Sequence, residues 1–158
     1  MPDMLVHLLK LPAVDPIVAD LRTKGVIIRR ANPFEYSPIR DFILDNFGKG
    51  WADEIIPCFS RQPISLYIAI RDGIVIGFGA YESTSRAFFG PTGVSKSERG
   101  LGIGKALLLA CLWGQRDLGY AYGIIGGAGP VEFYEKAVGA AVIPESSPGV
   151  YADMLKGG

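Results

Sequence analysis

Apolar positions along this chain switch between helical and strand spacing, and the switches mark the elements. Residues 5–11 form an apolar run that predicts a short strand, punctuated by Pro12 and Pro16. Residues 14–24 predict a small helix that stops at Gly25, and the β-branched run 26–30 predicts a strand. After Asn32-Pro33, residues Ile39, Phe42, Ile43 and Phe47 recur at helical spacing up to Gly48. A second helical stretch spans residues 51–61, interrupted at Pro57. Runs 65–71 and 74–82 then flank Asp72-Gly73, a pair that favours a type I′ hairpin turn. Run 87–95 is a further strand, but it carries Gly90-Pro91. Proline cannot donate to a ladder, so a bulge is expected there.

The clearest helix follows a glycine-rich loop. Ile103, Ala106, Leu107, Ala110, Cys111, Gly114 and Leu118 make one apolar stripe, and Gly119 supplies the stop. Residues 120–126 predict a short strand covered on both faces, and Pro130 fits the first turn of a helix reaching about Val138. Runs 140–143 and 150–155 predict two closing strands. The expectation is one α/β (α+β) domain over residues 1–158, with 1–24 as an N-terminal extension packed on a core at 26–155.

Composition narrows the function more than the fold. Lysine plus arginine equals aspartate plus glutamate at sixteen each, so net charge argues against broad capture of nucleic acid or an anionic membrane. Two cysteines without a C-x-x-C pair and a single histidine, His7, argue against a zinc site and a histidine-based triad, so no metal is expected. Cys111 falls on an apolar helix face and reads as a buried thiol; Cys58 stays open. No apolar run near the start is long enough for a signal-peptide core or a membrane span, and the chain is read as cytoplasmic.

Candidate chemistry concentrates at Arg99-Gly100-Leu101-Gly102-Ile103-Gly104-Lys105. Glycines let backbone approach a ligand closely, and a helix start adds unpaired N–H groups at the positive end of the macrodipole. The combination is an anion cradle suited to phosphate. A dinucleotide fingerprint would need glycine where Lys105 stands, and a Walker loop would need serine or threonine where Ala106 stands. The spacing that fits is R-x-x-G-x-G, through Arg99, Gly102 and Gly104.

On this loop, with Val94 five positions earlier, the amphipathic helix, the buried strand and then Phe133-Tyr134-Glu135-Lys136, the chain resembles the GNAT superfamily of acetyl-CoA-dependent N-acetyltransferases. The resemblance implies a mixed, mostly antiparallel central sheet with splayed middle strands flanked by helices. It implies acetyl-CoA as co-substrate, with Val94 holding the acetyl carbonyl and pantetheine start and backbone from Arg99 through Lys105 wrapping the pyrophosphate. It also implies Tyr134 as the acid that protonates the departing thiolate. Gly127 and Pro130 depart from the asparagine and alanine the family often places there.

The position of the family's strand glutamate is Phe88 here, so no base is carried over. Glu82 is the first substitute and Glu54 the next. Trp51, Tyr81, Phe88 and Phe89 are candidates to line the acceptor pocket, and Lys96, Arg99 and Lys105 to neutralise phosphate charge. Three readings stay open: acetylation of a small-molecule primary amine by direct attack in a ternary complex, acetylation of a protein N-terminus or lysine, and a non-catalytic acyl-CoA-binding module. Near-neutral charge favours the first. A homodimer is left open.

Overall fold

The computed structural model describes residues 1–157. Strands β1 (Met4–His7), β2 (Ile27–Arg30), β3 (Leu66–Arg71), β4 (Ile74–Tyr81), β5 (Phe88–Val94), β6 (Tyr122–Ile125) and β7 (Ala141–Val142) form one sheet. Helices α1 (Asp15–Thr23), α2 (Tyr36–Phe47), α3 (Lys49–Glu54), α4 (Ile103–Asp117) and α5 (Val131–Val138) flank it. The strand order is β2-β3-β4-β5-β6-β1-β7. Every pair is antiparallel except β5 with β6. This is the mixed, mostly antiparallel sheet expected from the sequence.

The hairpin forms where Asp72-Gly73 predicted it. Both residues take positive φ, 52° and 76°, as a type I′ turn requires. Strand alternation then divides the core. Leu66, Ile68, Phe78 and Ala80 point to one face and pack with Ile39 and Ile43 of α2. Gly77, Gly79 and Tyr81 point to the other, where α4 crosses. A Cβ on Gly77 would stand 3.2 Å from Leu107 Cδ1, and one on Gly79 would stand 3.2 Å from Cys111 Sγ. The two glycines therefore set how closely α4 approaches β4. Its burial is wider than the expected stripe, because Leu108 and Leu112 on the adjoining face pack with β1 and α5. Both cysteines are fully buried.

Two terminal readings change. Residues 4–7, expected in an extension, form a strand inside the sheet, paired with β6 on one side and β7 on the other. The strand expected at 150–155 is absent; a 3-10 turn at Gly149–Tyr151 and further turns stand there. The tail turns back after Pro148 instead of extending, and its Tyr151 hydroxyl donates to Glu54 Oε2 at 2.7 Å. Residues 51–61 are also split, into α3 and a 3-10 helix at Ile56–Ser60 with Pro57 in its first turn. No helix among the described residues is long and apolar enough to cross a membrane.

Gly79→Val tests the close approach of α4. Valine has the higher strand propensity, yet its branches would press on Leu107 and Cys111, and overpacking of this kind costs about 1–3 kcal/mol. The urea midpoint should fall with an unchanged slope; an unchanged midpoint would mean that the helix rides loosely on the strand.

Candidate active site

The site begins where a ladder stops. β5 and β6 pair only at Phe88↔Ile124 and Phe89↔Ile125, with a last bond from the Gly126 N–H to the Phe89 carbonyl at 3.2 Å. β6 then ends, while β5 runs on to Val94. On its other side β5 keeps β4, but the register slips: Gly79 faces Thr92 while Tyr81 faces Phe89, so β5 carries one extra residue across Gly90-Pro91. Gly90 absorbs the kink at φ 122°. The bulge predicted from Gly90-Pro91 thus stands at the point where the two parallel strands part.

Beyond the bulge, register decides where the backbone of β5 points. The Ser95 N–H donates to the Ile76 carbonyl at 2.9 Å, making that pair hydrogen-bonded. Alternation then turns the N–H and C=O of Val94 away from β4, towards the side that β6 has vacated. Arg99 Nε donates to the Val94 carbonyl at 3.3 Å. The Val94 N–H has no strand partner and faces the gap.

The glycine loop closes one side of this gap. Gly100 and Gly102 take φ 90° and 92°, conformations that favour glycine, and Gly102 caps α4. The first intrahelical bond runs from the Ala106 N–H to the Gly102 carbonyl, so the N–H groups of Ile103, Gly104 and Lys105 lack intrahelical acceptors. They open on a cavity of about 490 Å³ lined by Val94, Arg99, Gly102, Gly104, Lys105, Pro130 and Phe133, among others. Arg71 grips Glu98 through Nε and Nη2, at 3.2 and 3.0 Å, so the one carboxylate of the loop is already neutralised. Exposed Lys105 and Arg99 leave the local balance positive. Donors, dipole and charge all fit a pyrophosphate.

A second cavity, of about 300 Å³, lies at the same parting. Gly90, Pro91, Gly126 and Gly127 form its floor; Trp51 of α3, Thr84, Phe89, Pro148 and Tyr151 form its walls. Glu54 Oε2 accepts hydrogen bonds from the Tyr151 hydroxyl, at 2.7 Å, and from the Thr84 hydroxyl. Asp3 Oδ1 accepts from the Gly127 N–H at 2.8 Å, and the Asp3 N–H donates to Ser146 Oγ at 2.8 Å. The Met1 amino group reaches Ser147 Oγ at 3.3 Å. The segment before β1 and the segment after β7 are thereby tied together around this cavity.

Tyr134 stands on α5 with its ring buried, 6% exposed, between Phe133 and Phe89. Burial holds its phenol above the usual tyrosine range, so it keeps its proton at neutral pH. Its hydroxyl has no hydrogen-bond partner, yet the only buried unpartnered side-chain polar atoms among the described residues are in Ser65 and Gln115. The hydroxyl therefore reaches accessible space rather than ending in sealed core.

Other sequence candidates lie elsewhere. Glu82 is 5% exposed, with Oε1 accepting from the Ala87 N–H at 2.5 Å and Oε2 from the Tyr120 hydroxyl at 3.0 Å. It borders a different cavity, with Arg61, Arg86 and Tyr120, and serves as a cap for the loop before β5. Tyr81 is a core residue whose hydroxyl accepts from Arg30 at 2.5 Å. Phe88 packs over Gly126, and Lys96 lies outside the loop cavity. Trp51 and Phe89 line the second cavity. Thr84, Tyr151 and Asp3 went unread: Thr84 lies in a turn, Tyr151 in an expected strand, and Asp3 ahead of the first expected strand.

In comparisons of fold, the chain is similar to the glucosamine N-acetyltransferase region of a fungal multi-domain GH3 β-N-acetylglucosaminidase, at 18% identity and TM-score 0.73, covering 90% of this chain and 19% of that one. It is similar to a GCN5-related N-acetyltransferase from Sphaerobacter thermophilus, at 17% identity and TM-score 0.68, covering 90% and 48%. A GNAT-family acetyltransferase from Colwellia psychrerythraea matches at 15% identity and TM-score 0.61, covering 89% and 52%. The chain thus spans about a fifth to a half of the length of these proteins. No curated protein matches it in sequence. The sequence model of the Acetyltransferase (GNAT) family matches residues 30–140, and the chain belongs to that family.

The cradle is tested at Gly104. Its φ is ordinary, and a Cβ there would meet only Val94 Cγ2 at 3.9 Å, so a side chain would enter the cavity without straining the backbone. Gly104→Glu should gain helix propensity of roughly 0.5–1 kcal/mol and a favourable dipole interaction of about 0.3–1 kcal/mol. The melting temperature should hold or rise, while stabilisation by added CoA disappears; retained stabilisation would remove the loop from the cofactor site. Tyr151 offers a pH test. Burial and the Glu54 carboxylate push its phenol up from 10.0 to about 12. The raised value favours the neutral, donating form, so this contact is complete below pH 10.0 and lost as pH rises through about 12. In phenolate absorbance titrations, Tyr151→Phe should remove a transition near 12. Loss of one near 10 instead would mean that Tyr151 is not held against Glu54.

Proposed function

We propose that the chain transfers the acetyl group of acetyl-CoA to a primary amine of a small molecule, by direct attack in a ternary complex. One observation carries the reading: two cavities, one lined by residues of the α4 start and one by aromatic side chains, border successive stretches of β5 along its parting from β6. A cofactor entering from the α4 side and an acceptor entering from the α3 side would meet end to end.

Acetyl-CoA, when bound, supplies an acetyl group already activated as a thioester. The chain's own contribution is to hold, orient and move protons. The N–H groups of Ile103, Gly104 and Lys105 would hold the pyrophosphate, with Arg99 and Lys105 adding charge. The Val94 N–H, lacking a strand partner, would donate to a carbonyl laid along β5, as a strand neighbour would. Fixed donors of this kind stabilise negative charge growing on oxygen without reorganising. Tyr134 keeps its proton until sulfur departs and then donates it.

The amine's proton leaves on the opposite side. There Glu54 is held by two residues of the cavity wall, Thr84 and Tyr151, whereas both oxygens of Glu82 are occupied elsewhere. Of the two carboxylates, the geometry favours Glu54 for that role. A small acceptor is also favoured over a polypeptide, because Ser147, Pro148 and Tyr151 wall the cavity where an extended chain would have to pass. A position in the cytoplasm accords with this chemistry and is proposed with it.

Tyr134→Phe is the test. The hydroxyl has no partner to lose and the ring stays, so melting temperature and CoA affinity should change little. Proton donation typically contributes about two to four powers of ten, and turnover in a thiol-release assay should fall at least roughly tenfold. Full activity in this variant would remove the acid role and leave water to protonate the thiolate.

A further inference from the structure

We propose, on the reading that this chain acetylates an amine, that its acceptor is an alkylamine bound as its ammonium by Glu54, with an uncharged aromatic or aliphatic body and no carboxylate or phosphate. The first argument is charge. The two charged side chains bonded to the cavity wall are both acidic: Glu54, joined to Thr84 and Tyr151, and Asp3, joined to Gly127. No lysine, arginine or histidine side chain lines the cavity among the described residues. The one cationic group at the wall is the Met1 amino group, bonded to Ser147 Oγ at 3.3 Å, so an anionic group on the acceptor would meet two carboxylates against a single amino group, an arrangement that disfavours binding.

The second argument is valence. Both hydroxyl donors converge on Oε2 of Glu54, and Oε1 has no hydrogen-bond partner among the described residues. A carboxylate oriented by two neutral donors, with one oxygen left over, is a receptor for a further donor. The phenol of Tyr151 does not ionise at neutral pH, so that orientation holds wherever an alkylamine is protonated. Oε1 can then take the proton that must leave before nitrogen attacks.

The third argument is the wall. Trp51, 37% exposed, lines the cavity with Phe89, Pro91 and Tyr151. Aromatic faces attract an ammonium and accept an apolar body. At about 300 Å³ the cavity stands at the lower end of small-molecule sites and suits a compact body.

The experiment compares matched acceptors by thiol release from acetyl-CoA: 2-phenylethylamine, phenylalanine (the same skeleton with a carboxylate added) and glucosamine. The specificity constant for 2-phenylethylamine should exceed the other two at least about tenfold, the weight of one charge-assisted contact. Glu54→Gln should raise KM for 2-phenylethylamine by a similar factor while leaving KM for acetyl-CoA unchanged. Trp51→Leu, which spares the carboxylate, should also raise the amine KM alone. Equal or better use of phenylalanine or glucosamine overturns the inference, as does an unchanged amine KM in Glu54→Gln with normal CoA stabilisation. CoA stabilisation of the wild type without turnover of any of the three overturns the inference and spares the cofactor site. Absence of CoA stabilisation removes both.

Discussion

The arrangement depends on one strand having two neighbours over its first half and one over its second. β5 pairs with β6 for two residues and then loses it, while β4 continues beside it. Unpaired strand backbone is costly when buried, so the parting persists only if something else satisfies it. An amide-rich ligand can do so. The bulge at Gly90-Pro91 and the small residues Gly126 and Gly127 keep side chains from filling the opening. From that single break follow the exposed Val94 N–H and the two cavities that border it.

The surroundings of the break divide the labour by charge. On the α4 side, helix-start amides and basic side chains favour an anion. On the α3 side, Glu54 and Asp3 favour a cation. In the proposed reaction an activated ester and an amine would approach from sides whose fields suit each. The N- and C-terminal segments matter for the second side only. β1 fills the edge of β6 and places Asp3 at Gly127, and the chain after β7 folds back so that Tyr151 meets Glu54. A tail that might have added a strand forms a wall instead.

Legibility in the sequence followed the range of the interactions. The hairpin at Asp72-Gly73, the bulge at Gly90-Pro91 and the loop before α4 were readable because each rests on local backbone requirements that glycine, proline or aspartate meets. Cys111 was readable because helical period placed it inside. Tyr81 and Phe88 misled: an aromatic near a strand end gives no local sign of whether it faces a cleft or a core, and Gly114 and Gly126, against which they pack, lie far along the chain. Glu82 misled for a similar reason, since the Tyr120 hydroxyl that engages it comes from the other side of α4. Tyr151 was read into a strand because its apolar run has strand character. What stands in its place is a non-local contact, the hydrogen bond from the Tyr151 hydroxyl to Glu54 across the cavity wall.

The central claim is that a ligand replaces β6 beside the second half of β5, with its phosphates at the start of α4. Amide chemical-shift mapping during titration of the ¹⁵N-labelled protein with CoA tests it residue by residue. The Val94, Ile103, Gly104 and Lys105 amides should move together, saturating at one CoA concentration, while the Phe78 amide, inside the β3–β4–β5 ladder, stays in place. Shifts confined to other surfaces, or a still Val94 amide beside moving loop amides, would contradict it.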